Sequence, residues 1–68
     1  MKVRSNLKAL VDSKSLSIRE IARDIDYRFE SVRQLYNNEM ERVPLELLTK
    51  LCAYLHVTPG EILILESE

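Results

Sequence analysis

The side chains with the most chemistry to offer in the shortest span lie between Arg28 and Gln34. Arg28, Phe29, Glu30, Ser31, Arg33 and Gln34 bring guanidinium forks, a ring, a carboxylate, a hydroxyl and a carboxamide. Presented together, such groups suit the edges of base pairs. An arginine fork matches guanine, a glutamine carboxamide matches adenine, a glutamate accepts from cytosine N4, and an apolar ring can press on a thymine methyl. Catalytic chemistry finds less support. The chain has no glycine-rich phosphate loop, and no nucleophile has a credible base beside it. Cys52 and His56 stand four apart on one helical face, which is half of a metal site; a zinc site normally takes four ligands, and no other Cys or His exists. Cys52 therefore reads as a core cysteine. The expectation is a binding protein with no enzymatic activity, no metal and no cofactor.

Two short helices would have to position that row. Ser17 followed by Glu20 is a capping-box start, in which the hydroxyl accepts an amide proton and the glutamate reaches back. Ile21, Ala22 and Ile25 then share one helical face, and the rhythm resumes in Phe29, Val32, Leu35 and Tyr36 after a break at Asp26-Tyr27-Arg28. Residues 17–37 thus read as two helices joined by a tight turn, and the small Ala22 lets the second cross close over the first. Side chains directed away from Val32 and Leu35 are the six named above. Phe29, three residues before Val32, fits a partial core position equally well. Glu30 would repel phosphate unless it meets a base donor or a neighbouring arginine. Phosphate contacts would fall to Ser17, at an amide-rich helix start, and to Arg19, Arg23 and Asn37. The alternative for Ser17 is a plain cap, and for the two arginines a solvated face paired with Asp24 and Glu20.

This stretch resembles the Cro/CI-type (Xre-like) helix-turn-helix family of phage and bacterial regulators. The resemblance rests on the adjacent Ile21 and Ala22, on apolar residues at Ile25, Tyr27, Val32 and Leu35, and on Asn37 closing the second helix. It implies that the start of the second helix enters the major groove, with Phe29, Glu30 and Gln34 at base-reading positions and Arg28 and Arg33 as neighbours. Lys2, Arg4 and Lys8 become secondary candidates near the DNA backbone. Two departures stand out. The family's turn glycine is Asp26 here, a residue that tolerates the left-handed region better than most. An interior arginine–glutamate pair found in many relatives is replaced by Val11 and Tyr36, and losing both members together avoids stranding a buried charge.

The remaining chain supplies a scaffold. Val3, Leu7, Leu10 and Val11 predict a first helix over about 3–14. Ser13-Lys14-Ser15 connects it to Leu16, a hydrophobic staple for Ile21. Residues 38–42 form a polar loop. Pro44 sits at the first position of a fourth helix whose stripe is Leu45, Leu48, Leu51, Cys52 and Leu55, with His56 near its end. Thr58-Pro59-Gly60-Glu61 starts a short fifth helix running through Ile62, Leu63, Ile64 and Leu65. Because that segment is apolar on all sides, it is expected to form the interface of a homodimer. The fold class is all-α: one compact five-helix domain spanning residues 1–68.

Composition bounds the function. A chain of 68 residues with one glycine, two prolines and one cysteine leaves little room for a linker and none for an internal disulfide. No apolar run reaches the ~20 residues that cross a bilayer, so a cytoplasmic protein with no membrane partner is expected. Net charge is −1, with a sequence pI near 5.8, which is unlike a typical nucleic-acid binder. Residues 1–37, however, hold eight Lys/Arg against five acids, and residues 38–68 hold two against six. One end therefore carries a positive field. The expected partner is an operator in double-stranded DNA, bound by a homodimeric repressor of phage or mobile-element type. The rival is an anti-repressor or adaptor that docks on another regulator protein, favoured by the acidic pI and Glu30.

Overall fold

The computed structural model describes residues 1–67. Five helices and two strands follow in the order β1 (Lys2–Ser5), α1 (Leu7–Ser13), α2 (Ile18–Asp24), α3 (Phe29–Tyr36), α4 (Leu45–Leu55), α5 (Pro59–Ile62) and β2 (Leu63–Glu66). The core is aliphatic: Leu7, Val11, Ile21, Ala22, Ile25, Val32, Leu35, Leu47, Leu51, Leu55 and Ile62. No polar side chain is buried among the described residues. Hydrophobic burial therefore carries the fold, and the polar groups are left for the surface.

The two ends of the chain depart from the all-α expectation. They pair as an antiparallel ribbon, with Val3 opposite Leu65 and Ser5 opposite Leu63. Val3 keeps helical spacing to Leu7, which is why periodicity reads it into the first helix. Its backbone is instead taken by β2, and the Asn6 amide continues the pairing to the Ile62 carbonyl at 2.7 Å. At the other end, one turn of α5 is all that forms before Leu63 turns extended (φ −113°, ψ 118°). A short apolar run fits strand and helix alike until a partner decides. Arg4 and Glu66 close the ribbon with an ion pair of 2.9 Å.

Smaller shifts follow from packing. Pro44 caps α4 from just outside it rather than occupying its first turn. The face of α4 that enters the core is Leu47, Leu51 and Leu55, whereas Leu45 is 78% exposed. Both glutamate arms of the capping boxes form. Glu20 Oε1 accepts the Ser17 amide at 3.3 Å while Ser17 Oγ accepts that of Glu20 at 3.1 Å. Glu61 Oε1 accepts from the Thr58 amide at 3.0 Å.

Four helices end on one device. Amides of Leu16, Tyr27, Glu39 and Val57 reach back to the carbonyls of Val11, Ala22, Gln34 and Cys52. This is the six-to-one closure of a Schellman motif, which needs a left-handed residue in between. Here those residues are Ser15, Asp26, Asn38 and His56, with φ between 55° and 59°. The single glycine, Gly60, serves none of them. A left-handed L-residue costs roughly 1–2 kcal/mol, less for Asn and Asp. Ser15→Gly and His56→Gly should therefore each raise stability by about 0.5–1 kcal/mol, after the looser unfolded chain is allowed for. Urea melts of the two variants against the parent check this, and unchanged midpoints would contradict it.

Candidate nucleic-acid interface

The α2–turn–α3 unit is closed by backbone geometry first. Asp26 adopts φ 56°, and the Tyr27 amide donates to the Ala22 carbonyl at 3.0 Å. Ala22, 4% exposed, lies in the core with Ile21, Ile25, Val32 and Leu35. The turn is then fastened to α4. Lys50 Nζ donates to the Ile25 carbonyl at 3.0 Å and lies 5.9 Å from the centre of the Tyr27 ring. Tyr54 Oη donates to Asp24 Oδ2 at 2.6 Å. That bond, with a second from Arg23, holds the Asp24 carboxyl below its ordinary range, and the bond to Asp24, with burial, pushes the Tyr54 phenol up. At the far end of α3, Asn38 Oδ1 accepts the Ser5 amide at 2.8 Å, anchoring the helix to β1.

On this base α3 seals Val32 and Leu35 inside and leaves Arg28 and Glu30 exposed, with Ser31, Arg33 and Gln34 half-buried. Arg28 to Gln34 thus surround the first turns of α3 on the sides that the buried Val32 and Leu35 leave open. Their charges are not independent. Arg33 grips Glu30 with two bonds, Nε to Oε1 at 3.0 Å and Nη2 to Oε2 at 2.6 Å. A third, longer contact of 3.4 Å runs from Arg33 Nη1 to Glu39. The Arg33 bonds depress the Glu30 carboxyl below the usual carboxylate range, and Glu30, then Glu39, raise the Arg33 guanidinium. One cation therefore faces two acids at the middle of the row. Glu39 carried no signal in sequence, because it reaches Arg33 only through the left-handed turn at Asn38.

Phe29 divides its surface between the two readings allowed to it. It is half-buried against the core, and the Arg19 guanidinium stacks 4.7 Å from its ring centre, joining the starts of α2 and α3. The other phosphate candidates, Ser17, Arg23 and Asn37, are exposed. Arg23 pairs with its neighbour Asp24 at 3.1 Å, not with Glu20. Arg19 and Arg28 stand in no ion pair among the described residues, whereas Arg4 and Lys8 are engaged by Glu66 and Asp12.

Beside Asn37 lies an open hollow of about 450 Å³ lined in part by Arg4, Lys8, Tyr36 and Asn38. Here the substituted pair of the sequence finds its structural consequence. Val11 is 1% exposed in the core, and Tyr36 turns its hydroxyl outward to donate to Asp12 at 2.8 Å and accept from Lys8 at 3.3 Å. A polar link between α1 and α3 is thus kept at the surface rather than in the interior.

Residues 6–68 match the model of a family described as the Cro/C1-type HTH DNA-binding domain. Among solved structures, the chain is similar to that of a candidate DNA-binding protein from Bacteroides fragilis. The TM-score is 0.79 over 93% of this chain and 100% of that one. At 17% identity this is a likeness of fold. No curated protein matches the chain.

Proposed function

Because the chain belongs to the Cro/C1-type helix-turn-helix DNA-binding family, we propose that it is a sequence-specific transcriptional regulator that lays the start of α3 in the major groove. The observation that carries this is the division of α3: Val32 and Leu35 sealed beneath, Arg28, Glu30, Arg33 and Gln34 presented above. Gln34 and Arg28 are assigned to base edges, with the Glu30–Arg33 pair acting as one unit beside them. Arg19, Ser17 and Asn37 hold the phosphates on either side, and Arg23 joins them by leaving Asp24. The protein acts as a single domain and a repressor of phage or mobile-element type. It works as a homodimer, since one recognition helix reads only a few base pairs and two half-sites multiply specificity.

Binding to duplexes selected from a random pool tests this reading. Affinity should fall linearly on a log–log plot against salt, with a slope near −0.9 for each phosphate neutralised. With two arginines and a helix start available for about three phosphates, a slope of about −3 per protomer is expected. The second reading, an adaptor that docks on another regulator, is favoured by the two acids on Arg33. It predicts no retention on DNA even at low salt, and that result would displace the first.

A further inference from the structure

The segment that follows α3 is thinly held. Between Asn37 and Pro44 only Met40 and Val43 lean, half-buried, on the core. Among the described residues, one hydrogen bond joins residues 37–43 to an element other than α3: Asn38 Oδ1 accepts the Ser5 amide at 2.8 Å. The other end of that bond is firmly seated. Asn6 donates its amide to the Ile62 carbonyl at 2.7 Å and its carboxamide to the Glu61 carbonyl at 3.2 Å. Leu7 and Ile62 are fully buried, so Ile62, one of the residues expected at a dimer interface, is core instead. Bonds alternate along an antiparallel pair. With Asn6 turned towards β2, the Ser5 amide points off the free edge of the ribbon, where Asn38 meets it. Water would satisfy an edge amide equally well, and glycine would take the left-handed turn at φ 59° with less strain. Neither need accounts for a carboxamide that ties residue 38 to residue 5.

We propose that Asn38 is a positioning residue for DNA reading: by tying the end of α3 to the root of the ribbon, it sets where Gln34 and Asn37 stand relative to the groove. The inference rests on the DNA-binding reading above and on the parts given there to Gln34 and Asn37. Ala22 fixes where α3 meets α2. A helix of this length, about 12 Å, needs a second fixed point to hold its direction, and Asn38 supplies one at the far end. It adjoins Asn37 directly, and the Glu39 amide beyond it closes on the Gln34 carbonyl at 2.8 Å. Tyr36 also reaches outside α3, but its hydroxyl meets the mobile side chains of Asp12 and Lys8, whereas Ser5 offers backbone. A bond to a base edge fails when its donor is displaced or tilted, while attraction to phosphate falls off slowly with distance. Cutting the tie therefore costs affinity for the operator and spares affinity for an arbitrary duplex.

Anisotropy titrations of the full chain on the selected operator and on an unrelated duplex test this. Asn38→Gly removes the carboxamide and keeps the left-handed turn, so its circular dichroism should be that of the parent. It should lose roughly tenfold on the operator, towards the low end of what one bidentate base contact is worth, and almost nothing on the unrelated duplex. Any loss of folded protein lowers both affinities alike and leaves their ratio unmoved. Asn38→Asp tolerates the same turn and again offers an acceptor to Ser5. Its added charge weakens both duplexes together, so the ratio should return to the parent value. Ser5→Pro removes the donor from the other side and is compared with Ser5→Ala, because both lose the hydroxyl that accepts the Leu7 amide at 3.2 Å. The ratio should fall for proline and hold for alanine. A ratio that Asn38→Gly leaves unchanged, or that Asn38→Asp fails to restore, overturns the positioning role alone. A parent that binds no duplex at low salt, or binds all duplexes alike, overturns the DNA-reading proposal itself.

Discussion

Arg33→Ala should weaken binding to a selected operator by about 1–3 kcal/mol, roughly 5- to 150-fold, with the fold intact. The structure makes the companion variant, Glu30→Gln, the more informative of the two. Arg33 is already gripped by Glu30 and touched by Glu39, so its fork can meet a guanine only with Glu30 still attached or after letting go. In the first case the carboxylate orients the fork, and Glu30→Gln weakens operator binding alongside Arg33→Ala. In the second the acid restrains the arginine; Glu30→Gln then strengthens binding to all duplexes and steepens the salt slope by about 0.9, one more phosphate neutralised. Fluorescence anisotropy against the operator and single-base variants separates the two. Arg33→Ala binding every duplex like the parent would remove Arg33 from the reading row. Both acids and the arginine are solvent-facing, so circular dichroism should report a native fold in each variant.

The helix-turn-helix was legible because its signals are local. The Ser17–Glu20 box, the small Ala22 and the spacing of Ile21, Ile25, Val32 and Leu35 each concern residues a few positions apart, and helices form from such contacts. Asp26 was readable as a left-handed turn only because the resemblance said where the turn should be. Ser15, Asn38 and His56 adopt the same conformation; Asn and His tolerate it better than most residues, but tolerance alone does not mark a position as glycine would, and Ser15 carries no sign at all. The ribbon was hidden for another reason. Lys2–Ser5 and Leu63–Glu66 lie at opposite ends of the chain, and each is a strand only because the other is there to pair with it. Sequence distance also concealed the bond from Ser5 to Asn38, whereas the Arg33–Glu39 contact was hidden by the left-handed turn at Asn38. The apolar stripe of α4 was largely legible, since Leu51 and Leu55 are buried and Leu48 and Cys52 pack against the core; helical spacing put Leu45 at its start, and only the fold reveals that Leu45 is exposed and that Leu47 takes a core place.

Ala22→Leu is the substitution expected to damage function most for the stability it removes. Ala22 is 4% exposed in the core, where α2 meets α3, and its carbonyl receives the Tyr27 amide that closes the turn. Three added carbon atoms have nowhere to go unless α3 moves, and overpacking of this kind costs about 1–3 kcal/mol. A domain of this length has roughly 3–10 kcal/mol in all, so most molecules stay folded in the cold. Their recognition helix, however, no longer projects at the parent angle, and a misplaced row forfeits its base contacts. Leu35→Ala provides the contrast. It empties space beneath α3 at a cost of about 2–5 kcal/mol, a larger loss of stability, while leaving the Ala22 contact in place. Operator affinity, corrected for the folded fraction measured by circular dichroism at low temperature, should therefore fall at least tenfold for Ala22→Leu and stay within a few-fold of the parent for Leu35→Ala. Equal corrected affinities for the two would mean that the close approach at Ala22 serves stability alone, and that the aim of α3 is set elsewhere, by Lys50 on the Ile25 carbonyl or by Asn38 on β1.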